Sequence, residues 1–466
     1  MIRFSNNQTS LFDFVNEPIY KRINDPELDK IQKILESSDL MEEFRKIIYE
    51  DKEIRTDFGR PTRPMDMIIK LLILRRLYHW SFREAEIMGN DRISVRKFLG
   101  LREESSPDHT VLSRWNKKIP KSLWKKVNDK IVEYAKEKKV TSGKKMRMDT
   151  TVVEGNIHHP MDSGLLEDSV KKLGQLAKKA KNLGLASGER VRDFGRSAKK
   201  QVLRIVKYAG KRREEQIELF KTHYQQLVQI TKRAVHHAKE IQGYISQGVI
   251  NQEEKRVKKV NRLKASYEKY IPRIEQVIGQ TVRRVFKGET VPVNEKLLSI
   301  HEEHLYPVRK GKKTKPTEFG QICKIQESDG GMITEWATYT SQPSDTHLFI
   351  PSIDKHIEIF DRPPQVAAGD RGCWSDINEV IAKGKGVKRV CIPKRGRKSR
   401  ERILFEKQRW FKKAQRFRTG SEATISILKR RYGMGRCMDR GQVGMDSWVS
   451  LGCIARNLWT IAHAIL

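Results

Sequence analysis

Acidic residues are scarce beside basic ones in this chain of 466 residues: 58 Asp and Glu face 94 Lys and Arg, a formal net charge of +36. Solubility alone asks for far less, so a polyanionic partner is expected. Long apolar runs are missing as well. No stretch approaches the ~18 residues of a spanning helix, and the opening MIRFSNNQTSLFDF has no apolar block of the signal-peptide kind. Anionic membrane is thereby set aside, and nucleic acid in the cytoplasm is the expected partner. Cysteine is sparse: Cys323, Cys373, Cys391, Cys437 and Cys453 are odd in number and form no CxxC pair, which argues against a zinc ribbon or disulfide framework and for buried thiols. The phosphate-cradling GxxxxGK[ST] loop is absent, so no nucleotide cofactor is expected. The length that remains is enough for roughly two to four domains and a core that needs no staples.

Residues 1–140 read as helical, with apolar residues at helical spacing in MDMIIKLLILRRLYHW and SFREAEIMGNDRISVRKFLG. Ser106, Pro107 and Asp108 mark a helix start. The helix they open sets Arg114, Lys117 and Lys118 around Val111, Leu112 and Trp115. Short helices ending in a basic one suit a helix-turn-helix DNA reader, with a plain helical bundle as the alternative. In KKMRMDTTVVEG the period changes to two: Met146 and Met148 alternate with Arg147 and Asp149, a short strand ending at the aspartate. After a long gap, strands return in FGQICKIQ, MITEWATYT, PPQVAAGD and GVKRVCIP, separated by helical DTHLFIPSIDKHIEIF and SDINEVIAKG. A mixed sheet flanked by helices is implied, divided between residues 141–163 and 317–434. The last segment, 435–466, reads as a helix packed on that core, because Asp446, Arg456, Asn457 and His463 interrupt its apolar run.

The gap, residues 164–316, holds 36 Lys or Arg against 16 Asp or Glu. Ile217, Phe220, Tyr224, Leu227, Thr231, Ala234, Ala238 and Ile241 step by three and four, as do Val260, Leu263, Tyr267, Tyr270, Ile274, Val277 and Thr281. Gly243, Gly248 and an Asn251/Glu254 capping box lie between the two seams, which predicts an antiparallel, coiled-coil-like helical hairpin. Pro272 is expected to kink or divide the second helix. So much concentrated positive charge favours contact with a DNA backbone.

Cutting a phosphodiester by two-metal catalysis needs carboxylates on rigid elements, holding two ions about 3.5–4 Å apart. Asp149 and Asp370 follow strands, where a sheet's carboxyl edge commonly carries a site; either alone also reads as a turn or cap. Glu422 lies on a helix that aligns it with Arg418 and Lys429. Trp374, near Asp370, is a candidate platform for an unstacked base or else a core residue. Arg395 and Arg397 lie in the dense basic run KRGRKSRERILFEKQRW, with Phe405 and Trp410 inside it. His158, His159 and the HEEH at 301–304 lack the partners of a zinc site. Glu154, Asp162, Glu335 and Asp376 are substitute carboxylates, although Asp376 better suits a helix start that Ser375 caps.

The blocks DTTVVE, AGDRGCWS and RTGSEATISILKRRYGMGR, with SPDHTVLSRW near the N-terminus, resemble the insertion-sequence DDE transposase superfamily. The resemblance implies an RNase H-like α/β core preceded by a helical DNA-binding domain. It implies that Asp149, Asp370 and Glu422 bind two Mg²⁺ or Mn²⁺ ions, and that Arg418 and Lys429 contact phosphates of the element's end. The family's tyrosine slot holds Gln415, with Phe417 nearby. Here the helical insertion follows the first strand rather than standing just before the glutamate helix. Implied with these are cleavage of double-stranded DNA, attack of the freed 3′ hydroxyl on target DNA without a covalent protein intermediate, and a dimer or larger synaptic assembly. A nuclease of the same fold that cuts without joining, and a DNA-binding protein derived from a transposase, are the alternatives.

Overall fold

A computed structural model describes residues 25–37, 40–50, 64–101, 104–186, 191–247, 254–309 and 315–465. The opening segment, Gly248 and Asn251 lie outside these residues. The chain divides into two units, Met1–Asn156 with Gly320–Leu466, and Ile157–Phe319.

Among the described residues, the first unit opens with the helices α1 (Pro26–Ser37), α2 (Leu40–Glu50), α3 (Met65–Leu77), α4 (Phe82–Asp91), α5 (Ile93–Leu99), α6 (His109–Lys118) and α7 (Lys121–Glu137). Nearly every side chain of α3 is buried, as an all-round apolar helix requires. Its two arginines are accommodated by aromatic faces and one carboxylate. Arg75 lies 3.6 Å from the Phe82 ring centroid, Arg76 3.5 Å from that of Trp448, and Arg75 pairs with Asp439 at 2.6 Å. The start of α6 is capped by Asp108, which accepts from the Thr110 amide at 2.7 Å.

Alternation along β1 (Lys145–Gly155) sets the two faces of the sheet. Met146 and Met148 enter a core with Leu348, Phe349 and Ile353, while Arg147 and Asp149 face the opposite helix. Asp149 is not at the strand's end, as its sequence context suggests. β1 runs on to Gly155 because β3 (Thr317–Ser328) pairs antiparallel with it as far as Glu154 and Gly320. What stops near Asp149 is the parallel partner: β5 (Val366–Ala368) pairs only with Lys145, Met146 and Arg147. β4 (Ile333–Tyr339) lies antiparallel on β3, and β6 (Arg389–Cys391) parallel on β5. The strand order in this unit is thus β4-β3-β1-β5-β6, with β7 (Arg436–Cys437) parallel to the far end of β1.

Helices α12 (Asp345–Phe360) and α13 (Asp376–Gly384) complete the methionine face, and α14 (Arg400–Lys407) leads into α15 (Arg409–Arg430) on the other. Ser375 caps α13 through the Asn378 amide at 3.0 Å. The last helix, α16 (Gly441–Ile465), packs on β4 and equally on α3 and α7. Its Asn457 splints β4, accepting from the Ile333 amide at 2.9 Å and donating to the Ile333 carbonyl at 2.7 Å.

The second unit contains α8 (Asp162–Asn182), α9 (Gly195–Tyr208), α10 (Glu214–Gln247), α11 (Glu254–Val285) and the short β2 (Tyr306–Arg309). The anticipated seams supply much of its core, with Leu227, Ala238, Ile241, Leu263, Tyr267, Ile274 and Val277 buried, although Ile217 at the start of the first seam is exposed. Two corrections follow. The seams do not close on each other alone, because α8 supplies Leu165, Leu166, Val170, Leu173 and Leu176 and α9 supplies Ile205 to the same core, so the packed pair α10 and α11 is part of a four-helix core. Pro272 does not divide α11, which continues through it; buried Tyr267, Ile271 and Ile274 on either side hold the helix across the missing hydrogen bond.

Candidate active site

The site forms where β5 ends and β1 continues. Asp149 projects from β1 towards α15, and its Oδ2 accepts from Ser421 Oγ at 3.0 Å and from an Arg418 nitrogen at 3.4 Å. Its Oδ1 accepts from the Thr150 amide at 2.8 Å. Burial pushes the Asp149 carboxyl above its ordinary pKa, and the nearby Asp370 charge adds to the shift against the pull of Arg418. Asp370 stands just beyond β5 and caps the turn Arg371–Cys373, its Oδ1 accepting from the Cys373 amide at 3.2 Å and facing the Cys373 thiol at 3.4 Å. Burial raises that thiol strongly, so it is neutral. Glu422 is exposed on α15, and its Oε1 accepts from Arg418 at 2.7 Å.

A fourth carboxylate belongs to this group. Asp345, in the first turn of α12, accepts from Thr150 Oγ1 at 3.2 Å. A Cβ built on Gly372 would lie 2.7 Å from Asp345 Oδ2 and 2.9 Å from Asp370 Oδ1, so both carboxylates converge on one buried glycine. No three of these four acids, however, lie within 4.8 Å of one another. Among the described residues, the one trio of potential ligands lying within 4.8 Å of one another is Glu86, Asp108 and His109, and there Asp108 caps α6 while Glu86 pairs with His109 at 2.6 Å. Arg418 stands between Asp149 and Glu422, bound to both.

Beneath the site, Arg147 is paired in a buried salt bridge with Glu327, directly opposite it on β3. Arg147 also donates to the Phe417 carbonyl at 2.6 Å, and Glu327 accepts from Thr424 Oγ1 at 3.0 Å. A Cβ at Gly420 would strike the Arg147 guanidinium, so α15 lies close against this pair. Phe417 is engaged by it, its ring centroid 4.9 Å from the Arg147 guanidinium.

The remaining candidates separate. Arg114, Lys117 and Lys118 are exposed on α6, and Arg395 and Arg397 are exposed after β6. Trp374 is half-buried against the methionine-face core, with Lys394 Nζ 5.0 Å from its ring. Within the basic run, Arg402 is taken up by Glu379 and Glu406. Asp162 and Glu335 serve ion pairs with Arg284 and with Lys125 and Lys324. His159 packs edge-on against Phe319 at 5.3 Å. All five cysteines are buried and free. No described helix is long and apolar enough to cross a membrane.

The first unit is thus mixed α/β, with Asp149, Asp345 and Asp370 placed near the end of β5 and Glu422 beyond Arg418. Residues 17–118 match the family described as Transposase domain (DUF772), a segment that ends with α6, and the match supports a transposase. No curated protein and no solved structure matches the chain.

Proposed function

We propose that this protein is a DDE transposase that cleaves the ends of its insertion sequence and joins the 3′ hydroxyls to target DNA. The observation that carries the reading is that Arg418 binds both Asp149 and Glu422, with the Asp370 charge near enough to act on Asp149, in a chain whose first helices match a transposase domain. The sheet, an antiparallel trio continued by two parallel strands, supports an RNase H-like core.

The donor set suits Mg²⁺ or Mn²⁺, since it consists of carboxylate oxygens and a bound cation relieves the raised Asp149. Asp149, Asp370 and Glu422 would hold two such ions, which supply activation of the attacking oxygen and neutralisation of charge on the phosphate. The chain's own groups do the positioning. Ser421 fixes the rotamer of Asp149. Arg418 releases Glu422 when DNA arrives and takes a phosphate, for which its planar fork is suited. Lys429, Lys117, Lys118, Arg114, Arg395 and Arg397 add backbone contacts, and α6 reads the element end. Joining requires two ends together, so the active form is a dimer or larger assembly.

The test is cleavage and joining of labelled element-end DNA with Mg²⁺ or Mn²⁺. Asp149→Ala, Asp370→Ala and Glu422→Ala are each expected to abolish both products while DNA binding persists. Cutting by any of these variants removes that residue from the site, and cutting without joining by the unaltered protein makes it a nuclease.

A further inference from the structure

Beside α6 the first unit encloses a cleft of about 780 Å³, lined by His79, Trp80, Phe82, Asn116, Lys117 and Lys429 among others. That volume lies in the range of sites that enclose one small organic group. Its walls combine two chemistries. Trp80 is stacked on Tyr78 at 4.8 Å, which holds an indole at the cleft wall, while Lys117, Lys429, Arg436 and Arg440 bring positive charge. The floor is polar and buried: Arg75 and Asn116 are each 1 % exposed, both bind Asp439, and Arg75 Nε and Asn116 Oδ1 have no hydrogen-bond partner within the protein.

At the same place His79 has φ +59°, the left-handed turn that ends α3, closed by the Trp80 amide donating to the Arg75 carbonyl at 2.8 Å. The His79 ring lies over Gly433, where a Cβ would approach to 2.1 Å. Glycine at 433 is therefore what lets an exposed imidazole reach the cleft. A second, shallower depression shares Ser81, Phe82 and Ser113 with the first and continues past Arg83 and Arg114. The polar face of α6 thus opens into one track that ends at Lys429, two turns along α15 from Glu422.

From this juxtaposition we infer that the cleft receives one unpaired nucleotide of a DNA strand, its base against Trp80 and His79 and its phosphates on Lys117 and Lys429. An aromatic wall accepts any base face and a cationic rim accepts the backbone; a duplex does not fit a pocket of this size. The inference rests on the DNA reading above but not on catalysis.

The experiment compares a blunt fluorescent duplex with the same duplex carrying a short 3′ single-stranded extension, measuring affinity by anisotropy without divalent metal. The extended duplex is expected to bind about tenfold more tightly. Trp80→Ala, and Ser113→Trp, which fills the cleft from its half-buried edge, are expected to erase the difference between the two duplexes, whatever each does to affinity for both alike; Asp149→Ala keeps it. Equal affinity of the unaltered protein for both duplexes, or a preference that survives Ser113→Trp in a folded variant, overturns the inference and leaves the transposase reading standing. A preserved preference in a protein that cuts nothing with Mg²⁺ does the reverse.

Discussion

Asp149 is held by three donors before any cation or DNA arrives, and this preorganisation is open to test one atom at a time. Ser421→Ala removes a hydrogen bond to a carboxylate and is expected to lower the cleavage rate on the order of tenfold with DNA binding intact, as single-turnover kinetics would report. Gly372→Ala puts a methyl where Asp345 and Asp370 converge. Both carboxylates must shift, and strand cleavage should fall on the order of tenfold or more although the fold survives. His356 supplies a pH signature. Its Nε2 donates to the Gly143 carbonyl at 2.9 Å, and burial holds its pKa down to about 4. The unfolded chain takes up the proton first, at about pH 6.5. Stability is therefore lost as pH falls from about 6.5 to about 4, by roughly 3 kcal/mol at most, and denaturant titrations of His356→Gln should show a smaller loss over that window. Asp149, Asp370 and Glu422 stand out in the sequence because each sits in a distinctive block, and the fold adds that Arg418 joins Asp149 to Glu422. Asp345 does not: an acid in the first turn of a helix already has a reason to be there, its interaction with the helix dipole, and only the folded turn at Gly372 brings it beside Asp370.

At the level of elements, the glutamate helix depends on a buried pair. Glu327→Gln leaves the Arg147 cation without its partner in the interior, at a cost of about 3–5 kcal/mol, visible as a lowered melting temperature and, at temperatures where the variant is folded, as lost cleavage. The alternation of Met146 and Met148 with Arg147 and Asp149 announced which side of β1 would be core and which would face the helix of Glu422. The strand's extension did not announce itself, because its length is set by pairing with β3, whose partner residues lie far along the chain. Pro272 illustrates the same limit in reverse. A local rule assigns it a kinked or divided helix, but packing on both sides keeps α11 undivided. Pro272→Ala restores the amide and should stabilise the second unit by up to about 3 kcal/mol, measured by thermal unfolding.

For the molecule as a whole, charge and connectivity coincide. The segment 164–316, with 36 basic against 16 acidic residues, leaves and rejoins the sheet where Glu154 and Gly320 pair across β1 and β3. Replacing residues 157–319 by an Asn-Gly turn is expected to leave the first unit with a cooperative melt, and to make the dependence of DNA affinity on salt shallower. Composition made the basic segment conspicuous, whereas its four-helix packing required α8 and α9, whose spacing is less regular than the two long seams. The adjacency of Glu154 and Gly320 also bears on the order of folding. About a third of the chain separates these two positions, so pairing them in an unfolded polypeptide closes a very long loop. Once the second unit has folded, the edge contact of His159 with Phe319 holds its own ends together, and the loop left to close is roughly thirty times shorter, a saving of about 3 kcal/mol in closure entropy. The β1–β3 pairing, and with it the seat of Asp149, is thus expected to form late, after the helices between the two strands have collapsed.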